Sequence, residues 1–118
     1  MHQERRQSPR VQCYLPVRLI VQGQRRVIQT LTKDLGIGGI RCLSPVVTPS
    51  SVPVSMEITL GAGTRLVNVR AQVVWLKEVP HSDQFHLGIV FQDLSEEDTK
   101  LLSTYLSRLS SQTAPASV

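Results

Sequence analysis

The chain has 118 residues, is 41% hydrophobic and 19% charged, and carries a net charge of +4. That length suits one domain with one core and is too short for two. No run of about eighteen apolar residues offers a membrane span, and the polar start MHQERRQSPR lacks the apolar stretch of a secretory signal, so a cytoplasmic single domain is expected.

Charge is unevenly spread. Residues 1–41 hold eight Arg or Lys against Glu4 and Asp34, whereas the remainder holds five basic and seven acidic residues. An anion-binding surface is therefore expected near the N-terminal half. Residues 1–10 read as a flexible arginine-bearing arm. In VQCYLPVRLIV the apolar residues Val11, Cys13, Leu15, Val17, Leu19 and Val21 alternate, which predicts a half-buried strand. Pro16 puts that strand at an edge or a bulge. A turn at QGQ leads to a noisier strand in RRVIQTLTKDL, and GIRCL supplies a short third one. SPVVTPSSVP is a loop. VPVSMEITL alternates without error, GAG turns the chain, and RLVNVRAQVVWLK carries Val67, Val69, Ala71, Val73 and Trp75 on one face. Trp75 is thus expected in the core. FHLGIVF adds Phe85, Leu87, Ile89 and Phe91, which makes about six strands.

At Leu94 the period changes to that of a helix, with Leu101, Leu102, Tyr105, Leu106 and Leu109 as the apolar set. Ser95 is placed to cap its start. The expected architecture is an all-β, six-stranded antiparallel barrel with one C-terminal amphipathic helix over residues 11–109, followed by a disordered tail at 110–118. Closure is favoured because an open sheet of this size would expose its edges.

Catalytic chemistry has little to stand on. The chain has no Gly-x-Ser-x-Gly, no Walker loop and no His-Glu-x-x-His. His2, His81 and His86 fit no ordinary ligand spacing, so neither a metal nor a cofactor is expected. Cys13 and Cys42 form no Cys-x-x-Cys pair and read as small buried apolar residues. A non-enzymatic protein is expected.

Two stretches remain. ERRQSPR places Arg6 and Arg10 four apart, and Pro9 keeps Ser8 extended. Guanidinium groups grip phosphate or the O6/N7 edge of guanine with paired hydrogen bonds. DLGIGGIR places Asp34 before three glycines. A carboxylate can accept from the two adjacent donors of guanine, and glycines permit positive φ and close backbone approach. By themselves these eight residues fit a phosphate-cradling loop or a tight turn between strands equally well.

The two stretches together resemble the PilZ family of bacterial cyclic di-GMP receptors. That family's pattern is Arg-x-x-x-Arg before a six-stranded barrel, then Asp/Asn-x-Ser-x-x-Gly after the second strand, with a C-terminal helix. RQSPR supplies Arg6 and Arg10, DLGIGG supplies Asp34 and Gly39, and Arg5 gives the doubled arginine often seen there. VVWL and LGIVFQDLSEED look like the family's late strands and helix start, so the likeness covers roughly residues 4–110. Gly36 stands where the family has serine. The resemblance implies a cyclic di-GMP receptor whose ligand set is Arg5, Arg6, Arg10, Asp34, Gly36 and Gly39. The arm would close over the nucleotide and alter the surface shown to a downstream protein. The alternative is a PilZ-fold interaction module that no longer binds nucleotide. A general nucleic-acid binder is disfavoured, since only 4% of residues are aromatic and single-strand binders need stacking platforms.

Overall fold

The structure, a computed structural model, describes residues 10–24, 26–48, 51–61 and 65–113. Seven strands precede one helix among them: β1 (Val11–Gln12), β2 (Pro16–Val21), β3 (Val27–Leu35), β4 (Gly39–Ser44), β5 (Pro53–Leu60), β6 (Arg65–Glu78), β7 (Phe85–Phe91) and α1 (Glu96–Thr113). The strands pair antiparallel in the order β1-β3-β2-β5-β6-β7-β4, and β4 returns to pair with β3. That last pairing closes a six-stranded barrel, with β1 as an extra strand on β3. Closure leaves none of the six with a free edge.

Alternation explains the inside of the barrel. Val17, Leu19 and Val21 of β2, Val54, Met56, Ile58 and Leu60 of β5, and Val67, Val69, Ala71 and Val73 of β6 are all buried. Leu87 and Ile89 of β7 join them, Phe91 packs against this core, and Phe85 is half-buried. The helix closes the core with Leu102, which is wholly buried, while Leu101, Tyr105, Leu106 and Leu109 pack half-buried around it. Burying a side chain such as Leu102 contributes about 1.5–3 kcal/mol. At the helix start, Ser95 Oγ accepts from the Asp98 N–H at 3.0 Å, and Glu96, Glu97 and Asp98 lie in the positive first turn. The helix runs past Leu109 to Thr113, because elongation adds one bond per residue and no Gly or Pro intervenes. Residues 114–118 of the expected tail, and residues 1–9 of the expected arm with Arg5 and Arg6, lie outside the described residues.

The first predicted strand is broken in two. β1 pairs Val11 with Leu35, and β2 resumes at Pro16 opposite Leu31. Between them the chain is clasped by Thr32, whose buried hydroxyl donates to the Cys13 carbonyl at 2.6 Å and accepts from the Leu15 N–H at 2.9 Å. The hydroxyl thus supplements the backbone bonds that remain there, from the Cys13 N–H to the Lys33 carbonyl and from the Thr32 N–H to the Leu15 carbonyl, and satisfies two groups that the break in the ladder leaves over. Both cysteines are buried and free. Burial pushes the Cys42 thiol up to about 12, and burial is also the main cause raising Cys13.

Trp75 departs from expectation. It is 41% exposed and its neighbour Val74 is exposed as well. The β6–β7 register shifts between Val73 and Trp75. A bulge there turns two successive side chains outward, which inverts the alternation beyond it.

Candidate functional site

A second shift occurs in β3, between Thr32 and Asp34 in its pairing with β4. Thr32 and Leu35 are buried, whereas Lys33 and Asp34 between them face outward. Unbroken alternation from Thr32 would turn Asp34 into the barrel; the bulge presents it outside. Across the hairpin Asp34 pairs with Arg41, and on its other side with Gln12.

Asp34 thereby sits between two guanidinium groups. Its Oδ1 accepts from Arg10 Nη1 at 2.8 Å. Its Oδ2 lies 3.1 Å from Arg41 Nε. That second contact is an ion pair whose N–H is not aligned on the oxygen, so the buried Arg41 Nε has no hydrogen-bond acceptor among the described residues. The Asp34 side chain is only 15% exposed, while both arginines are more open. Each guanidinium has five N–H donors, so most remain available to an anion.

The glycine turn is built differently from the expectation. The Gly36 N–H donates to the Gly39 carbonyl at 2.9 Å, and the Phe91 N–H donates to the Gly38 carbonyl at 2.9 Å. Positive φ among the glycines described falls at Gly23 and Gly61, not in this turn. Gly39 is buried, and a Cβ there would strike the Ile89 carbonyl oxygen and come within 3.0 Å of the Val90 Cα. Its lack of a side chain serves the β4–β7 pairing, in which Gly39 faces Val90.

Next to this cluster, Arg41, Gly88 and Trp75 form a row across β4, β7 and β6. A Cβ on Gly88 would overlap the Trp75 indole, so the ring crosses the bare Gly88 backbone. In the adjoining row stand Leu43, His86 and Lys77. Arg41, Trp75, Lys77, Glu78, Pro80 and His86 line a recess of about 570 Å³. That volume suits a small organic ligand. His86 Nδ1 is buried without a hydrogen-bond partner. Its pKa is lowered, first by burial and then by the Arg41, Lys33 and Lys77 cations. Of the three buried side-chain polar atoms that make no hydrogen bond among the described residues, two lie here: Arg41 Nε, which is still ion-paired to Asp34, and His86 Nδ1, which has no partner. In a folded protein an atom such as His86 Nδ1 is satisfied by ordered water or by a ligand. The described residues contain no His/Cys/Asp/Glu group that could hold a metal.

The described chain therefore joins Arg10 to Asp34, and adds Arg41, Trp75 and His86, none of which sequence reasoning selected. Arg41 was within reach, since hairpin pairing around a short glycine turn puts it opposite Asp34. A protein-family model for the PilZ domain matches residues 4–108. The chain belongs to the PilZ domain family. Among solved structures, this PilZ domain is similar to the Bacillus subtilis inhibitor of motility MotI (also called DgrA), with 22% identity and a TM-score of 0.81 over 93% of this chain and 53% of that one. It is also similar to the PilZ domain of Escherichia coli YcgR solved with c-di-GMP, with 15% identity and a TM-score of 0.73 over 97% and 98% of the two chains. Against YcgR in complex with c-di-GMP the TM-score is 0.81 at 15% identity, covering 97% of this chain and 50% of that one. The chain thus spans about half the length of MotI and of that YcgR chain. No curated protein sequence matches it. Among the described residues, no helix is long and apolar enough to cross a membrane.

Proposed function

We propose that this PilZ domain is a non-enzymatic receptor for cyclic di-GMP. The observation that carries the reading is Asp34 held between Arg10 and Arg41, beside an exposed tryptophan and the buried His86 Nδ1, which makes no hydrogen bond among the described residues. Cyclic di-GMP offers two phosphates and two guanines. Arg10 and Arg41 match a phosphate or the O6/N7 edge of guanine. Asp34 accepts from the guanine ring N–H and amino group once an arginine lets go of it. The open face of Trp75 gives a base a stacking surface, an interaction worth about 1–3 kcal/mol per base.

Arg5 and Arg6 belong to the same arm as Arg10, and in this reading the arm closes over the bound nucleotide. Closure changes the surface offered to a downstream protein, an order–disorder switch. Gly36 in the serine position removes one hydroxyl. One hydrogen bond is worth about 0.5–1.5 kcal/mol, so affinity falls by roughly threefold to tenfold and is not abolished. Gly39 serves the site indirectly, by letting β4 lie against β7.

Calorimetric titration of cyclic di-GMP into the purified protein tests the reading, beside Arg10→Ala. Saturable heat from the natural sequence and its loss in the variant are expected. An absence of binding at high micromolar nucleotide would sink it.

A further inference from the structure

A second recess of about 570 Å³ lies between α1, the end of β5 and the start of β6. Its apolar lining is Leu60, which is buried, with Leu101 and Tyr105, which are half-buried. Three exposed cations, Arg65, Lys100 and Arg108, line it from the two elements. None of them has a carboxylate partner among the described residues, where the ion pairs are Arg10–Asp34, Arg18–Glu57, Arg41–Asp34 and Arg70–Asp93. Glu97 is the one acidic side chain of the lining.

We infer that this cleft docks an acidic, apolar-anchored segment of a partner protein. Charge complementarity selects the occupant: three cations against one carboxylate around a greasy centre. The spacing refines it. Lys100 and Arg108 are eight residues apart on one helix face, a separation of about 12 Å along the axis. In an extended chain, residues i and i+4 point the same way and lie about 13 Å apart. The matching segment is therefore acid-x-apolar-x-acid, with the carboxylates on Lys100 and Arg108 and the apolar side chain between them over Leu101 and Tyr105. A compact phosphate does not span the about 12 Å between Lys100 and Arg108 and would leave the apolar centre exposed to water. This inference goes beyond the proposed receptor function and needs no nucleotide.

The probe is a synthetic peptide, acetyl-Ser-Glu-Thr-Leu-Thr-Glu-Ser-amide, titrated into the isotopically labelled full chain without cyclic di-GMP and followed by NMR. Saturable shifts confined to the α1 face and the β5–β6 end are expected. Lys100→Glu with Arg108→Glu should weaken binding about tenfold or more, with an unchanged circular dichroism spectrum showing that the exposed helix positions tolerate the change. The peptide with Gln in place of Glu should bind as weakly. Absence of saturation at millimolar peptide overturns the inference. So do shifts centred on Arg10, Asp34 and Arg41, equal binding by the Gln peptide, or tighter capture of anionic vesicles or of an oligonucleotide at the same cleft.

Discussion

The barrel has a regular wall and a bulged wall. On the regular side, β2–β5 pairs from Val17↔Ile58 to Val21↔Val54 and β5–β6 pairs from Pro53↔Gln72 to Leu60↔Arg65, with no shift in either. Its outer surface carries Arg18 paired with Glu57 at 2.9 Å, an exposed ion pair worth about 0–1 kcal/mol. On the other side, β3 and β6 each shift register once. Each shift adds an outward-facing side chain, and the side chains so turned include the half-buried Asp34 and the exposed Trp75. Both walls offer an arginine bonded to a carboxylate. What separates them is what surrounds the pair: a second guanidinium, an indole and a buried imidazole nitrogen without a hydrogen bond on one, and uncharged side chains such as the exposed Leu31 on the other. A bulge forfeits local ladder pairing and re-aims side chains, and in this barrel both bulges serve the same patch.

If the bulged wall alone binds cyclic di-GMP, Asp34→Ala should weaken binding by about a hundredfold, because it removes a charged acceptor and unfastens two arginines. Arg18→Ala on the regular wall should leave the titration unchanged within about twofold. Equal effects at the two positions would erase the distinction. Trp75→Ala should cost about 1–3 kcal/mol of binding. As the sole tryptophan, Trp75 should also report nucleotide through its fluorescence, and an unaltered spectrum at saturation would remove it from the site. Gly36→Ser should tighten binding by roughly threefold to tenfold, readable in the same calorimeter.

The smallest effect concerns pH. His86 has its pKa lowered in the fold, so the unfolded chain takes up its proton more readily. Stability of the free protein should therefore fall as pH drops below about 6.5 and through the lowered value. A bound anion reverses the sign at that site: it favours protonated His86, so nucleotide affinity should rise as pH falls. His86→Gln should flatten that slope, and a slope that survives the change would assign it to another group.

The barrel was legible because period-2 alternation maps directly onto inside and outside. Val17 to Val21, Val54 to Leu60 and Val67 to Val73 all follow it, and Ser95 announced the helix. The same rule failed at Trp75, since alternation counts residues and a bulge inserts one without any mark in composition. The glycines of DLGIGGIR suggest positive φ and close backbone approach; Gly39 serves the second, and the backbone it approaches is that of β7, a strand that lies far along the chain.

Sequence alone determined most of the strands, the buried face of most of them, the capped helix, and Arg10 and Asp34 as candidates, because these depend on local spacing and residue chemistry. Tertiary structure decided that Asp34 faces outward between Arg10 and Arg41, that Trp75 lies across Gly88 beside Arg41, and that Thr32 clasps the chain behind Arg10. Those outcomes depend on which strand lies beside which and in what register. Pairing between β4 and β7 or between β1 and β3 joins residues that no local pattern connects.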